Sequence, residues 1–232
     1  MDPNMTLEKR IAAELYSYPG KMSVFVDDLR GHTVERGADE EFETASVIKA
    51  FILAALYAQA ECGKASLTEE IAYEKSQFVD GSGMLRALGV GAKLKVRDTA
   101  TMMIICSDNI ATNMLIDYLG LDTINACIRE LGFAHTILHN SLHFDRYHQL
   151  GTTTPRDYAA LLARIAKGEL VSKSASAEML GILRQQHYNT MLTKDFHDIL
   201  EYNDHPAIVY GARVSRMILD QVLACEGKLW MD

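Results

Sequence analysis

Residues Ser46 to Glu61 read SVIKAFILAALYAQAE. Between Val47 and Ala58 only Lys49 carries a charge, so the stretch reads as an apolar helix. It opens a long helical run. Downstream, Ser66-Leu67-Thr68-Glu69 has the form of a capping box before another helix. Asp80-Gly81-Ser82-Gly83 reads as a flexible turn, and helices are expected over Asp98 to Cys106, Ile110 to Tyr118, and Thr123 to Leu131, the last ended by Gly132. Ala134 to Gly151 has no clear period, carries four histidines and is read as a loop. Thr154 then caps a helix with Pro155 at its first position. A further helix covers Ser174 to Gln186.

Upstream of Ser46, Leu7, Ile11 and Leu15 recur at helical spacing until Pro19-Gly20. Met22 to Asp28 and Thr33 to Gly37 read as a hairpin turning near Arg30-Gly31. Near the other end, Ala207 to Tyr210 reads as a strand, and Val214, Met217, Ile218 and Val222 mark a C-terminal amphipathic helix. The expected fold is α/β of the α+β kind. An antiparallel sheet flanked by N- and C-terminal helices, residues 1–44 plus 190–232, receives an all-helical insertion, 45–189, in a single domain 1–232 with Ser46 at the interface.

Composition narrows the function. A chain of 232 residues that is 48% hydrophobic can bury a core. Its net charge of -8, with scattered Lys and Arg, lacks the basic footprint of a nucleic-acid binder. No apolar run is long enough to span a membrane, and Met1 to Arg10 has no signal-type segment. The chain therefore stays in the cytosol or had a leader removed. Cys62, Cys106, Cys127 and Cys225 form no C-x-x-C pair and are expected to be buried free thiols in helices. No metal or cofactor is implied, and a monomer is expected.

Two short motifs carry chemistry. In Ser46-Val47-Ile48-Lys49, residues three apart share a helix face, which sets the lysine amine beside the serine hydroxyl. A serine needs such a base, and a lysine serves once burial lowers its pKa. Apolar flanks at Phe42, Ala45, Ile48 and Phe51 suit a desolvated site. Taken alone, the pair also fits a capping serine and a solvated lysine. Ser107-Asp108-Asn109 follows 61 residues after Ser46, between two helical segments.

Together these strings resemble the class A β-lactamase and penicillin-binding serine hydrolase family. Phe42 to Lys49 and CSDNIATNMLIDYL (Cys106 to Leu119) stand in the family's order, and Gly151 to Pro155 is similar to the close of its omega loop. The resemblance covers most of residues 5 to 190. It implies that Ser46 attacks a lactam or peptide carbonyl and becomes acylated, with Lys49 as base or proton relay. Ser107 would pass a proton to the leaving nitrogen. Asn109 would hold the substrate's side-chain amide and orient Lys49, and Asp108 would fix the loop. One oxyanion donor would be the Ser46 N–H and the other would come from a sheet-edge strand.

The sequence departs from that family twice. Its omega loop carries a glutamate that activates the deacylating water, yet no glutamate lies between Thr136 and Thr154. Asp145 is the one carboxylate there, with His143 and His148 as other bases, so slow deacylation is expected. The second departure is the missing K-T-G, for which Thr193-Lys194-Asp195 is a poor substitute. Three strands are legible where the family's sheet has five. We expect the folded protein to include strand residues that the sequence omits, giving a Cα step well above the ordinary 3.8 Å between Phe196 and Arg213. The alternative is a genuine deletion that removes the substrate edge and half of the oxyanion hole.

Other readings stay open. His135, His139 and His143 are spaced by four, but Gly132 and Asn140-Ser141 disfavour the helix that would make them metal ligands. The leading function is a serine hydrolase acting on β-lactams or related amides, as in β-lactam catabolism. A D,D-peptidase or esterase with the same Ser-Lys machinery is one rival. A penicillin-binding sensor that is acylated without turnover is the other.

Overall fold

A computed structural model of the chain describes residues 6–17, 20–143 and 150–187. Helix α1 spans Leu7–Ser17, and β1 (Val24–Asp27) pairs antiparallel with β2 (Thr33–Arg36) as the expected hairpin. Its turn is held by Asp28, whose Oδ1 accepts from the N–H groups of Arg30 at 2.7 Å and His32 at 3.0 Å. β3 (Phe42–Glu43) runs directly into a 3₁₀ turn at Ala45–Val47 and then α2 (Ile48–Glu61). After α2 come β4 (Glu70–Ala72), β5 (Lys93–Lys95), α3 (Val96–Ile105), α4 (Asn109–Leu119) and α5 (Leu121–Glu130). β6 (Ile137–Leu138), β7 (Gly151–Thr153), α6 (Pro155–Lys167) and α7 (Lys173–Leu183) follow.

Helix α2 is the axis of the core. Every residue from Ile48 to Tyr57 is buried, Lys49 included. α3, α4, α5 and α7 pack around it. A fully buried Ile, Leu or Phe stabilises by about 1.5–3 kcal/mol, so the apolar faces of this helix dominate the helical part. Thr154 caps α6 as expected, its hydroxyl accepting from the Asp157 N–H at 3.1 Å with Pro155 at the first position.

Four sequence readings change. Ser66 to Glu69 does not begin a helix: it forms a turn, tied by the Ser66 N–H to the Tyr118 hydroxyl at 3.0 Å, that leads into β4. The local side-chain pattern fitted a cap, but pairing of β4 with β5 claimed the backbone. The 134–151 stretch is not all loop, because Ile137 and Leu138 pair with β7. Cys62 is exposed at the end of α2, whereas Cys106 and Cys127 are buried free thiols. The Asp80–Gly83 turn is held by four hydrogen bonds at and beside it, described below, and is not free. The expected strand at Ala207–Tyr210, the C-terminal helix, Cys225, Asp145, His148 and the Phe196–Arg213 test lie outside the described residues.

A three-stranded antiparallel sheet, in the order β3-β7-β6, sets the approach to Ser46. The Thr44 N–H donates to the Gly151 carbonyl at 2.9 Å, so β7 grips the chain two residues before the serine. A Cβ at Gly151 would lie 2.6 Å from the Ile137 carbonyl oxygen and 3.0 Å from Thr44 Oγ1. Gly151→Ala is therefore expected to destabilise the fold by about 2 kcal/mol, the usual scale for overpacking. Thermal unfolding of the two proteins checks this, and an unchanged midpoint would mean that β7 moves aside without cost.

Candidate active site

Ser46 sits in the 3₁₀ turn that opens α2, is 8% exposed, and lies one turn ahead of Lys49. The residue before it, Ala45, holds a left-handed backbone with φ 40°, and Ser107 does the same with φ 50°. Such conformations cost about 1–3 kcal/mol for non-glycine residues and persist where surrounding contacts impose them. One strained residue lies just before the first motif and the other opens the second.

Lys49 is 1% exposed, and its Nζ donates to three oxygens. These are the Ser107 carbonyl at 2.8 Å, the Ser107 hydroxyl at 2.9 Å and Asn109 Oδ1 at 2.8 Å. They match the three donors of an ammonium group. Burial nevertheless pulls the amine down from 10.5 to about 7, against the nearby Asp108 carboxylate, which raises it. When the amine is neutral it has a lone pair to satisfy. Of its three partners only the Ser107 hydroxyl can turn and donate, so the arrangement links two proton-carrying groups.

Asn109 has one orientation that satisfies its neighbours. Its Oδ1 faces Lys49 while Nδ2 donates to the Asp80 carbonyl at 3.0 Å. A flipped amide would set donor against donor and acceptor against acceptor. Asp108 is wholly buried and caps α4, accepting from the Ala111 N–H at 2.9 Å. Its other oxygen accepts from the N–H groups of Met84 at 2.6 Å and Leu85 at 2.9 Å. The structure thus brings Lys49, Ser107 and Asn109 together, with Ser46 in the 3₁₀ turn that leads into the helix of Lys49.

Residues matching 6–213 fit the model of the β-lactamase enzyme family. The chain belongs to that family. Among this β-lactamase-family chain's relatives is β-lactamase L2 of Stenotrophomonas maltophilia, 27% identical over 184 residues. That match covers 77% of this chain and 60% of L2, so the chain spans less than two thirds of that curated relative. In structure it is similar to a β-lactamase from Sphaerobacter thermophilus, with TM-score 0.73 and 27% identity over 81% of this chain and 72% of that one. It is also similar to PBP-A in a leucine-to-glutamate mutant, solved as an acyl-enzyme complex with penicillin G. There the TM-score is 0.72 and the identity 29%, over 80% and 71% of the two chains.

Two features of the β-lactamase-family site escaped the sequence. Asn113, one turn beyond Asn109, donates through Nδ2 to the Leu142 carbonyl at 2.9 Å and the Gln77 carbonyl at 3.3 Å. Its Oδ1 accepts from the Leu142 N–H at 2.8 Å. The i, i+4 spacing of the two asparagines on α4 was the available signal. The second feature is what Asn113 holds: Leu142, 1% exposed, is fixed through its own N–H and carbonyl. Beside it, His143 Nε2 lies 3.0 Å from the Ser141 hydroxyl. No group of metal-ligating side chains gathers among the described residues.

Proposed function

We propose that the chain is a serine hydrolase that forms a Ser46 acyl-enzyme with β-lactams or related amides and releases it slowly. The observation that supports this most directly is the buried Lys49 amine, brought to about 7 and bonded to both Ser107 and Asn109. Near neutral pH such an amine takes a proton readily. Ser46 Oγ bonds to the carbonyl carbon as its proton passes to Lys49. The carbonyl oxygen takes up negative charge, which the Ser46 N–H at the helix start offsets. The charge returns, the carbon–nitrogen bond breaks, and the leaving nitrogen receives a proton through the Ser107 hydroxyl. Asn109 holds the substrate's side-chain amide with the Nδ2 hydrogen that Asp80 does not use.

Slow release is supported by the sequence between Thr136 and Thr154, which holds no glutamate to activate the deacylating water. We expect intact-mass spectrometry after mixing with a penicillin to show a one-to-one adduct that persists, with a burst followed by slow steady-state hydrolysis. Fast multiple turnover without an adduct would overturn slow release. No adduct at any time would overturn the acyl-enzyme itself. The same slow release suits the non-turnover sensor reading, and persistence over many hours would favour it.

A further inference from the structure

Three side chains on one face of α4 hold a single passing segment. Asn109, Asn113 and Asp117 stand four residues apart, and each bonds within residues 77–82. Asn109 meets the Asp80 carbonyl through Nδ2 and the Ser82 carbonyl through its own N–H, both at 3.0 Å. Asn113 Nδ2 donates to the Gln77 carbonyl at 3.3 Å, and Asp117 Oδ2 accepts from Gln77 Nε2 at 2.9 Å. The segment thus runs antiparallel to the helix as a strap. Asp80 meets the site through its carbonyl, while its carboxylate pairs with Arg86 at 3.3 Å on the surface.

Gln77 is the most fully bonded point of the strap. It is 7% exposed and uses each of its polar atoms. Besides the two bonds to α4, its N–H donates to the Glu74 carbonyl at 3.0 Å and its Oε1 accepts from the Glu74 N–H at 2.9 Å. Phe78 and Val79 alone separate it from Asp80. Beyond Asp80 there is no slack, because a Cβ at Gly81 would lie 2.8 Å from Asn109 Nδ2. A slip of the strap along α4 therefore moves the carbonyl that sets which way the Asn109 amide points. Asn109 Oδ1 is in turn one of the three acceptors on Lys49.

We propose that Gln77 is a positioning residue for Asn109 and Lys49. Locked to Asp117, about 12 Å along the helix from Asn109, it fixes the register of the strap and with it the orientation of the amide. Its effect on the reaction rests on the acyl-enzyme reading above, whereas its effect on Lys49 does not.

Two quantities test this on each protein. One is the rate of Ser46 adduct formation with a penicillin, followed by mass. The other is proton release from Lys49, followed by the NMR shift of its Cε carbon as pH is raised. Gln77→Ala lets the strap slip, and the Asn109 oxygen then leaves the Lys49 ammonium. That disfavours the charged form, so the midpoint of proton release should fall by about one pH unit. Asp108, the charged group that bears on Lys49 among the described residues, stays in place. With Lys49 neutral in both proteins, the adduct should still form about tenfold more slowly, because a positioned group is misplaced. Gln77→Glu sets one carboxylate against another and should slow the adduct likewise. Adding Asp117→Asn supplies a donor to it at unchanged net charge and should restore the rate to within about threefold.

Asn125→Ala is the control for lost stability alone. It removes a grip of the same kind, from α5 onto the Leu138 N–H and carbonyl at 2.8 Å each. It should lower the thermal midpoint and leave the Lys49 midpoint where it was. An unmoved Lys49 midpoint in Gln77→Ala, an equal fall in Asn125→Ala, or no rescue by Asp117→Asn overturns the proposal. Should Gln77→Ala not fold, Gln77→Glu and its rescued partner decide it. No adduct in the wild type tells against the acyl-enzyme itself, and the Lys49 titration still decides the positioning role.

Discussion

Lys49→Met slows formation of the Ser46 adduct by about a hundredfold or more, the usual scale for a lost general base, and at the same time raises the protein's stability at pH 7. Ser46→Ala, measured beside it with a fluorescent penicillin, loses the label entirely. Stability moves the other way because the amine is buried. The gap between 10.5 and about 7 corresponds to on the order of 5 kcal/mol. Its sign follows from proton counts. Between about 7 and 10.5 the unfolded chain holds a proton on this lysine that the folded chain does not. The cost is therefore fully present below about 7 and disappears as pH rises toward 10.5. Methionine removes it but strands three oxygens, two on Ser107 and one on Asn109, at about 1 kcal/mol or more each. The net gain is at most about 2 kcal/mol at pH 7 and reverses at alkaline pH. Thermal unfolding at both pH values checks the crossing. In the wild type, adduct formation should rise with pH through about 7, as Lys49 gives up its proton. A flat profile with an unaffected Lys49→Met rate would remove the lysine from the reaction.

Asp108→Ala is expected to cost about 4 kcal/mol or more. Three N–H groups, the buried ones of Leu85 and Ala111 and the partly buried one of Met84, lose the carboxylate that accepts from them, and each stranded donor costs about 1–3 kcal/mol. The α4 cap is lost with them. For a chain of this size each kcal/mol lowers the unfolding midpoint by about 2–4 °C, so the drop should exceed about 8 °C. Asp108→Asn keeps an acceptor oxygen and should fall between. Should the alanine variant unfold like the wild type, the carboxylate would not be what holds the 80s segment to α4.

Much of this was legible beforehand, and the reasons differ by element. Helices α3, α4, α5 and α7 were found because their apolar residues recur at helical period over ten or more positions. The α6 start was found because Thr154-Pro155 acts locally, through one hydroxyl and one missing N–H. Ser46, Lys49, Ser107 and Asn109 could be named from spacing and resemblance, since helix geometry converts a three-residue interval into adjacency. Contacts between distant segments were not legible. β4 against β5, and β6 against β7, are short pairings whose hydrogen bonds outweigh the local preference of Ser66 to Glu69 or of a histidine-bearing loop. The Asp80–Gly83 segment looked flexible because two glycines and an aspartate usually are. Here the glycines are required by close approach to Asp108 and Asn109.

The double grip of Asn113 has a dynamic consequence. One side-chain amide holds the backbone of both Leu142 and Gln77. Breaking the Leu142 pair frees the same nitrogen that steadies Gln77, so the two segments should open together as one cooperative unit. Amide deuterium uptake at Leu142 is then coupled to α4 and slow for a loop, whereas Asn113→Ala should release it to the rate of an unprotected chain. The hold of α4 on these two segments is in this sense governed by the local opening free energy of a single helix turn.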